Sequence, residues 1–163
     1  MTGEAAFSAY YTNETSEELL REMNTPHHTD EQILAMDSLA AEVVRENQDY
    51  ERRHPIIGIR RIATQGSRSK LGGEIRKGTL DIRIGLPTGE TVNVAVIGDQ
   101  VEYPDGSSAR ITTGADENFY YAALVGSRVE NGDEIIDTPQ DGVVLTIRQG
   151  ENLDNFLPEV GGQ

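Results

Sequence analysis

The chain has 163 residues, with 14 basic side chains against 28 acidic ones, a formal net charge of −14 and no cysteine. That length suits one compact domain plus an extension, and no run approaches the roughly 18 apolar residues of a membrane helix. The missing cysteines exclude disulfides, thiolate zinc sites and thiol nucleophiles, and a charge of this sign with only two lysines argues against nucleic-acid binding, which rests on phosphate neutralisation.

The first segment is acidic and polar. Met1 to Tyr10 has neither a basic start nor an apolar stretch, so synthesis in the cytoplasm without a signal peptide is expected. Residues 1–54 hold 12 acids and 4 bases and a single glycine, Gly3, whereas 55–163 hold 16 acids, 10 bases and the other sixteen glycines. This shift places a boundary near His54-Pro55, where proline also disfavours helix at the residue before it. Three segments follow: an acidic helical extension over 1–54, a β domain over 55–150 and a C-terminal tail over 151–163.

Within the extension, Thr15-Ser16-Glu17-Glu18 is a capping-box pattern in which Thr15 caps the Glu18 N–H, and a short helix through Leu19, Leu20 and Met23 is predicted. Asn24-Thr25-Pro26 ends it. Thr29-Asp30-Glu31-Gln32 repeats the pattern and opens a helix predicted over 30–52. Its apolar residues Ile33, Met36, Leu39, Ala40, Val43 and Val44 recur at spacings of three and four, which draws one stripe. That stripe, with Ile33, Met36, Leu39, Val43 and Val44 as its contact residues, is predicted to be buried on the β domain or on a partner protein.

From Pro55 the period changes to two. Ile57/Ile59, Leu80/Ile82/Ile84, Val92/Val94/Val96 and Val143/Leu145/Ile147 alternate as half-buried strands do. Pro87-Thr88-Gly89-Glu90 reads as a hairpin turn, and Asp105-Gly106, Asn131-Gly132 and Asp141-Gly142 as further turns. Phe156 and Leu157, in the tail, are candidates to pack on the core.

Three windows in this half are alike: Ile62-Ala63-Thr64-Gln65-Gly66-Ser67, Val94-Ala95-Val96-Ile97-Gly98-Asp99 and Ala122-Ala123-Leu124-Val125-Gly126-Ser127. Each has alanine second, then glycine, then serine or aspartate. Each is followed by a turn and a second short strand, at Gly73-Glu74-Ile75, Ala109-Arg110-Ile111 and Glu134-Ile135-Ile136. The glycines lie 32 and 28 residues apart, a spacing that signals a symmetric β architecture.

These phrases resemble the PAAR-repeat family, the spike-tip proteins of contractile injection systems (type VI secretion and contractile phage tails). The family phrase is a strand ending in Val-Ala-x-x-Gly-Asp, a turn, and a short strand into Gly-Ser. Val94-Ala95-Val96-Ile97-Gly98-Asp99 matches it best, and the resemblance covers about residues 57–148. It implies a mainly β fold: a small conical or pyramidal domain of three pseudo-repeats, here with an α-helical N-terminal extension. It further implies a structural role, capping the distal end of a trimeric β-helical spike, one copy per trimer, and sharpening it for piercing a membrane touched only transiently. The implied setting is a virion tail tip or a secreted contractile particle, with residues 1–54 free to contact neighbouring baseplate or tail proteins.

Typical members of the family hold a metal near the apex through histidines and a cysteine. The aligned places here are Leu71 in the first turn, Tyr103 and Gly106 in the second and Asn131 in the third, none a usual zinc ligand. No metal and no cofactor are expected. The apex is predicted to close instead by Leu71 and Tyr103 packing across the axis, with Asn131 bonding turn backbones.

Two other readings stand beside this one. The acidic helices suit an adaptor or cargo-recruiting module on a β scaffold, and a secreted effector enzyme is the third class. Against the enzyme, His27, His28 and His54 all lie outside the repeats, and Ser67 with His54 and Asp99 is a trio that any chain of this size supplies. Asp133-Glu134 reads as a solvated turn, and Gly72-Gly73 lacks the lysine and the following helix of a phosphate loop. No catalytic residue is nominated.

Overall fold

A computed structural model describes residues 9–151, and its contacts divide them into two units: 14–59 with 146–151, and 9–13 with 60–145. The molecule is mainly short β-strands with few helices, and among the described residues no helix is long and apolar enough to cross a membrane. The Phe156-Leu157 pair lies outside the described residues.

The helices belong to the first of these units. Helix α1 spans Glu17–Met23, and its N-cap is Ser16, one residue later than predicted: the Ser16 hydroxyl accepts from the Leu19 N–H at 3.0 Å. Asn24 closes α1 and then pairs like a strand, its Oδ1 accepting from the Ile56 N–H at 2.8 Å and its Nδ2 donating to the Ile56 carbonyl at 3.1 Å. The Thr29 capping box forms as predicted, with Gln32 N–H on Thr29 Oγ1 at 3.1 Å and Thr29 N–H on Gln32 Oε1 at 2.9 Å.

The single helix expected over 30–52 is two. Helix α2 stops after Asp30–Leu34, and α3 runs over Ser38–Arg53, with the Asp37 carboxylate accepting from the Ala40 N–H at 2.9 Å. A side chain that caps so well offers the backbone an alternative to continuing the helix, and here the alternative wins. The break rotates the stripe. Ile33 on α2 and Ala41 on α3 are buried, Met36 and Val44 are half-buried, and Leu39 and Val43 are exposed, Leu39 by 74%. Gln48, on the same side of α3 as Ala41, donates to the His28 carbonyl at 3.1 Å.

In the other unit the three alanine phrases form one closed ring. The Ala63 N–H donates to the Ala123 carbonyl at 2.8 Å, Ala123 to Ala95 at 2.8 Å, and Ala95 to Ala63 at 3.1 Å. A second set one step out closes the same ring in the opposite sense: Gln65 N–H to Asn93, Ile97 N–H to Tyr121 and Val125 N–H to Arg61, at 3.0, 2.9 and 2.8 Å. The three alanines are fully buried in one core, where small side chains suit the close approach of the ring strands.

Each ring strand then turns at a glycine with positive φ, Gly66 (94°), Gly98 (98°) and Gly126 (104°), a conformation L side chains rarely adopt. The residue after it bonds backward. Ser67 Oγ accepts from Thr64 N–H, Asp99 Oδ2 from Val96 N–H and Ser127 Oγ from Leu124 N–H, each at 2.9 Å. Serine and aspartate alternate at this place because either presents an oxygen to the same buried donor.

The strands are β1 (Ile56–Arg61), β2 (Arg68–Ser69), β3 (Glu74–Ile75), β4 (Leu80–Gly85), β5 (Thr91–Val94), β6 (Gln100–Glu102), β7 (Ser108–Arg110), β8 (Ile135–Asp137) and β9 (Val144–Arg148). β1 pairs with β9, β4 with β5, and a five-stranded sheet has the order β7-β6-β3-β2-β8. The edges of that sheet are joined: Ile111, just past β7, bridges Val129, and Arg128 bridges Glu134, just before β8. Unpaired strand edges are thereby covered. The β4–β5 hairpin turns at Pro87-Thr88-Gly89 as predicted, with Leu86 N–H on the Glu90 carbonyl at 2.7 Å. A register shift between Leu80 and Arg83 leaves Ile82 exposed, against the alternation of the sequence.

Successive residues of the ring strands point to opposite faces, so they feed two cores. Ile62, Val94, Ala122 and Leu124 join Ile84, Leu86, Val92 and Ala115 in one. Ala63, Ala95 and Ala123 join Ile75, Val101, Ala109, Ile111, Val129 and Ile135 in the other. Ile75, Ile111 and Ile135 hold matching places, their carbonyls accepting from Gly66, Gly98 and Gly126 at 2.7, 2.9 and 2.7 Å.

Candidate functional site

Beyond the second core, the three hairpins end in turns at 70–72, 104–106 and 130–132. Each contains a positive-φ glycine, Gly72 (93°), Gly106 (91°) and Gly132 (92°), whose N–H closes the turn on Ser69, Tyr103 and Val129 respectively. By this geometry Leu71, Asp105 and Asn131 are equivalent, and so are Gly73, Ser107 and Asp133.

One carboxylate collects donors from all three turns. Asp133 Oδ1 accepts from the Leu71 N–H at 2.9 Å and from the Glu134 N–H at 2.8 Å. Its Oδ2 accepts from the Tyr103 hydroxyl at 2.6 Å, and the Ser69 hydroxyl bonds the same carboxylate. Asn131 completes the set: its Nδ2 donates to the Tyr103 hydroxyl oxygen at 3.0 Å, and its Oδ1 accepts from the Asp133 N–H at 3.0 Å. Tyr103 reaches across only because Gly73 has no side chain. A Cβ there would lie 2.7 Å from Tyr103 Cε1 and 2.5 Å from Val101 Cγ1.

The electrostatics follow from burial and bonding. Asp133 is 1% exposed, and burial by itself pushes its carboxyl up. The hydrogen bonds from Ser69, Tyr103, Glu134 and Leu71 outweigh that and hold it below the usual aspartate value. Tyr103 moves the other way, raised first by burial and then by its bond to the Asp133 carboxylate. Asp105, at the surface of the second turn, is lowered by its bonds from the Ser107 hydroxyl and N–H.

The apex residues named from sequence are therefore brought together, but by different chemistry. Leu71 contributes its backbone N–H, and its side chain is 63% exposed, so it does not pack across on Tyr103. Tyr103 contributes a hydroxyl as well as a ring. Asn131 bonds a side chain as well as the backbone of its own turn. Asp133, read from sequence as solvated, is the centre of the closure. Its signal was present: when the turns are matched on their left-handed glycines, only the third carries an acid after glycine, opposite the bare Gly73 of the first.

A metal does not fit this apex. Leu71 and Asn131 are not zinc ligands, and the Asp133 oxygens already accept four hydrogen bonds. Among the described residues no three His, Cys, Asp or Glu side chains stand close enough to share an ion. Of the enzyme trio, Ser67 and Asp99 are occupied by their own turns, Asp99 also accepting from Thr79 N–H (3.1 Å) and Oγ1 (2.6 Å), while His54 Nδ1 pairs with the Gln149 carbonyl at 2.8 Å.

Comparison with protein-family models, curated proteins and solved structures finds no match for this chain.

Proposed function

We propose that this chain is a PAAR-like tip protein: a monomeric cap of three pseudo-repeats, forming a small cone over residues 57–148, that seats on the blunt end of a trimeric β-helical spike in a contractile injection machine. The observation that carries the reading is the cyclic Ala63–Ala123–Ala95 hydrogen bonding, in which one chain supplies three matching strands in closed order. A threefold partner presents three equal strand ends with unpaired backbone groups and an apolar cross-section. A cap with the same repeat satisfies all three through main-chain pairing and buried apolar area, with no turnover. The closed apex suits a part under load, since a buried carboxylate bonded to three turns resists their separation. The setting is a phage tail or type VI-like particle, with the chain on the virion or secreted particle. The helices, with Leu39 and Val43 exposed, supply a contact for neighbouring tail or baseplate proteins.

The test is electron cryo-microscopy of contractile particles assembled with the chain, with native mass spectrometry of the detached spike. The expected result is one copy on the axis at the distal end and a one-to-three complex. Particles with the chain at six or more equivalent positions, or off the axis, overturn the reading.

A further inference from the structure

The chain holds two tandem tyrosine pairs, Tyr10-Tyr11 and Tyr120-Tyr121. Each tyrosine of the first pair carries an arginine over its ring: the Arg68 guanidinium lies 3.6 Å from the Tyr10 centroid and that of Arg61 5.7 Å from Tyr11. The second pair is exposed, Tyr120 by 63%, with Phe119 also exposed before it. Among the described residues no cation lies over either of its rings.

The backbone there is unusual. Tyr120 and Tyr121 both sit at φ 57°, in the left-handed region that bulky residues avoid and that glycine occupies without cost. The turn is held there by its own bonds: Asn118 N–H on Asp116 Oδ1 at 3.0 Å, Tyr120 N–H on the Glu117 carbonyl at 3.1 Å and Tyr121 N–H on the Asp116 carbonyl at 3.0 Å. The Tyr121 carbonyl accepts in turn from Ile97 N–H at 2.9 Å. Glycine would serve the fold at both positions, yet the chain places two large, exposed rings on a fixed backbone. Strain retained in this way, with rigid aromatics on show, is the pattern of a contact surface whose ordering cost is met before binding.

We propose that the Phe119-Tyr120-Tyr121 turn is a docking surface for an arginine- or lysine-bearing segment of a partner protein. Ring faces attract cations, the exposed Glu117 carboxylate stands on the same turn, and the net charge of −14 draws basic partners. The inference holds whether or not the chain caps a spike.

The test is amide NMR of the full chain at near-physiological salt, titrated with hexa-arginine, hexa-lysine and a glycine-serine hexapeptide. Shifts are expected over 116–122 with the basic peptides only, arginine stronger. A Tyr120→Gly/Tyr121→Gly variant is expected to bind them about fivefold more weakly, the size of one exposed cation–π contact, with a melting temperature equal to or above that of the parent. Shifts confined to the acidic helices, or a double variant that melts lower and binds equally, overturn the proposal. So does a turn that responds to maltohexaose or to phosphatidylglycerol vesicles and not to the peptides, which identifies a sugar or membrane surface instead.

Discussion

The Tyr103 hydroxyl donates to the Asp133 carboxylate at 2.6 Å, joining turns 30 residues apart. Around this bond the polar groups of the apex share partners, so that removing one leaves others without theirs.

Asp133→Ala leaves the Tyr103 and Ser69 hydroxyls and the Leu71 N–H without their acceptor, and is expected to cost about 2–4 kcal/mol. Tyr103→Phe, which removes only the hydroxyl, is expected to cost about 1–2 kcal/mol. Because the two groups share one bond, the double variant is expected to be less destabilised than the sum. Urea denaturation of the four proteins measures this, and additive losses would show that the pair is not coupled.

The same pair sets two pH limits. Asp133 titrates lower folded than unfolded, so its contribution is present above the ordinary aspartate value of about 3.9 and fades as pH falls toward and through the folded value. Tyr103 titrates higher folded, so its contribution is present below about pH 10 and is lost as pH rises through the folded value. Stability against pH at fixed ionic strength is expected to flatten at the acid end in Asp133→Asn and at the alkaline end in Tyr103→Phe. Unchanged acid and alkaline slopes in both variants would count against the assignment.

Two glycines after the second short strands are packed against backbone. A Cβ on Gly78 would meet the Asn93 carbonyl oxygen at 2.4 Å, and one on Gly114 the Ala122 carbonyl oxygen at 2.5 Å. Neither neighbour can swing away as a side chain does. Gly78→Ala and Gly114→Ala are each expected to cost about 2–3 kcal/mol, whereas Gly142→Ala, with open space at its Cβ, is expected to be nearly neutral in the same thermal melts.

Serine and aspartate at the ring turns are not interchangeable in both directions. Asp99→Ser keeps an oxygen for Val96 N–H and gives up only the Thr79 bonds. Ser127→Asp places a charge at a fully buried site, with one donor, Leu124 N–H, bonded to the present hydroxyl. The first is expected to cost about 1 kcal/mol and the second about 3 kcal/mol or more. Equal melting temperatures for the two would show that burial does not distinguish the two turns.

On the helices, Leu39→Ser/Val43→Ser is expected to leave stability within about 0.5 kcal/mol, since both side chains are exposed. Ile33→Ala, at a buried position, is expected to cost about 2–4 kcal/mol in local protection measured by hydrogen exchange. If the exposed face is a contact for tail proteins, the double serine variant is also incorporated less into particles.

What the sequence determined by itself is the part governed by near neighbours and by period. The Thr29 capping box, the Pro87–Glu90 hairpin, the three Ala-x-x-Gly phrases and the glycines at left-handed turns each depend on a few adjacent residues. The tertiary structure decided which candidates meet. Asp37 stopped a helix that the apolar stripe ran straight through, because one well-placed cap outweighs a continuous pattern, and Leu39 and Val43 then turned outward. Asp133 looked like any turn aspartate until the fold brought Ser69, Leu71 and Tyr103 to it. Donors separated by 30 or more residues leave no local trace, and burial reverses what a carboxylate costs or contributes once those donors are present.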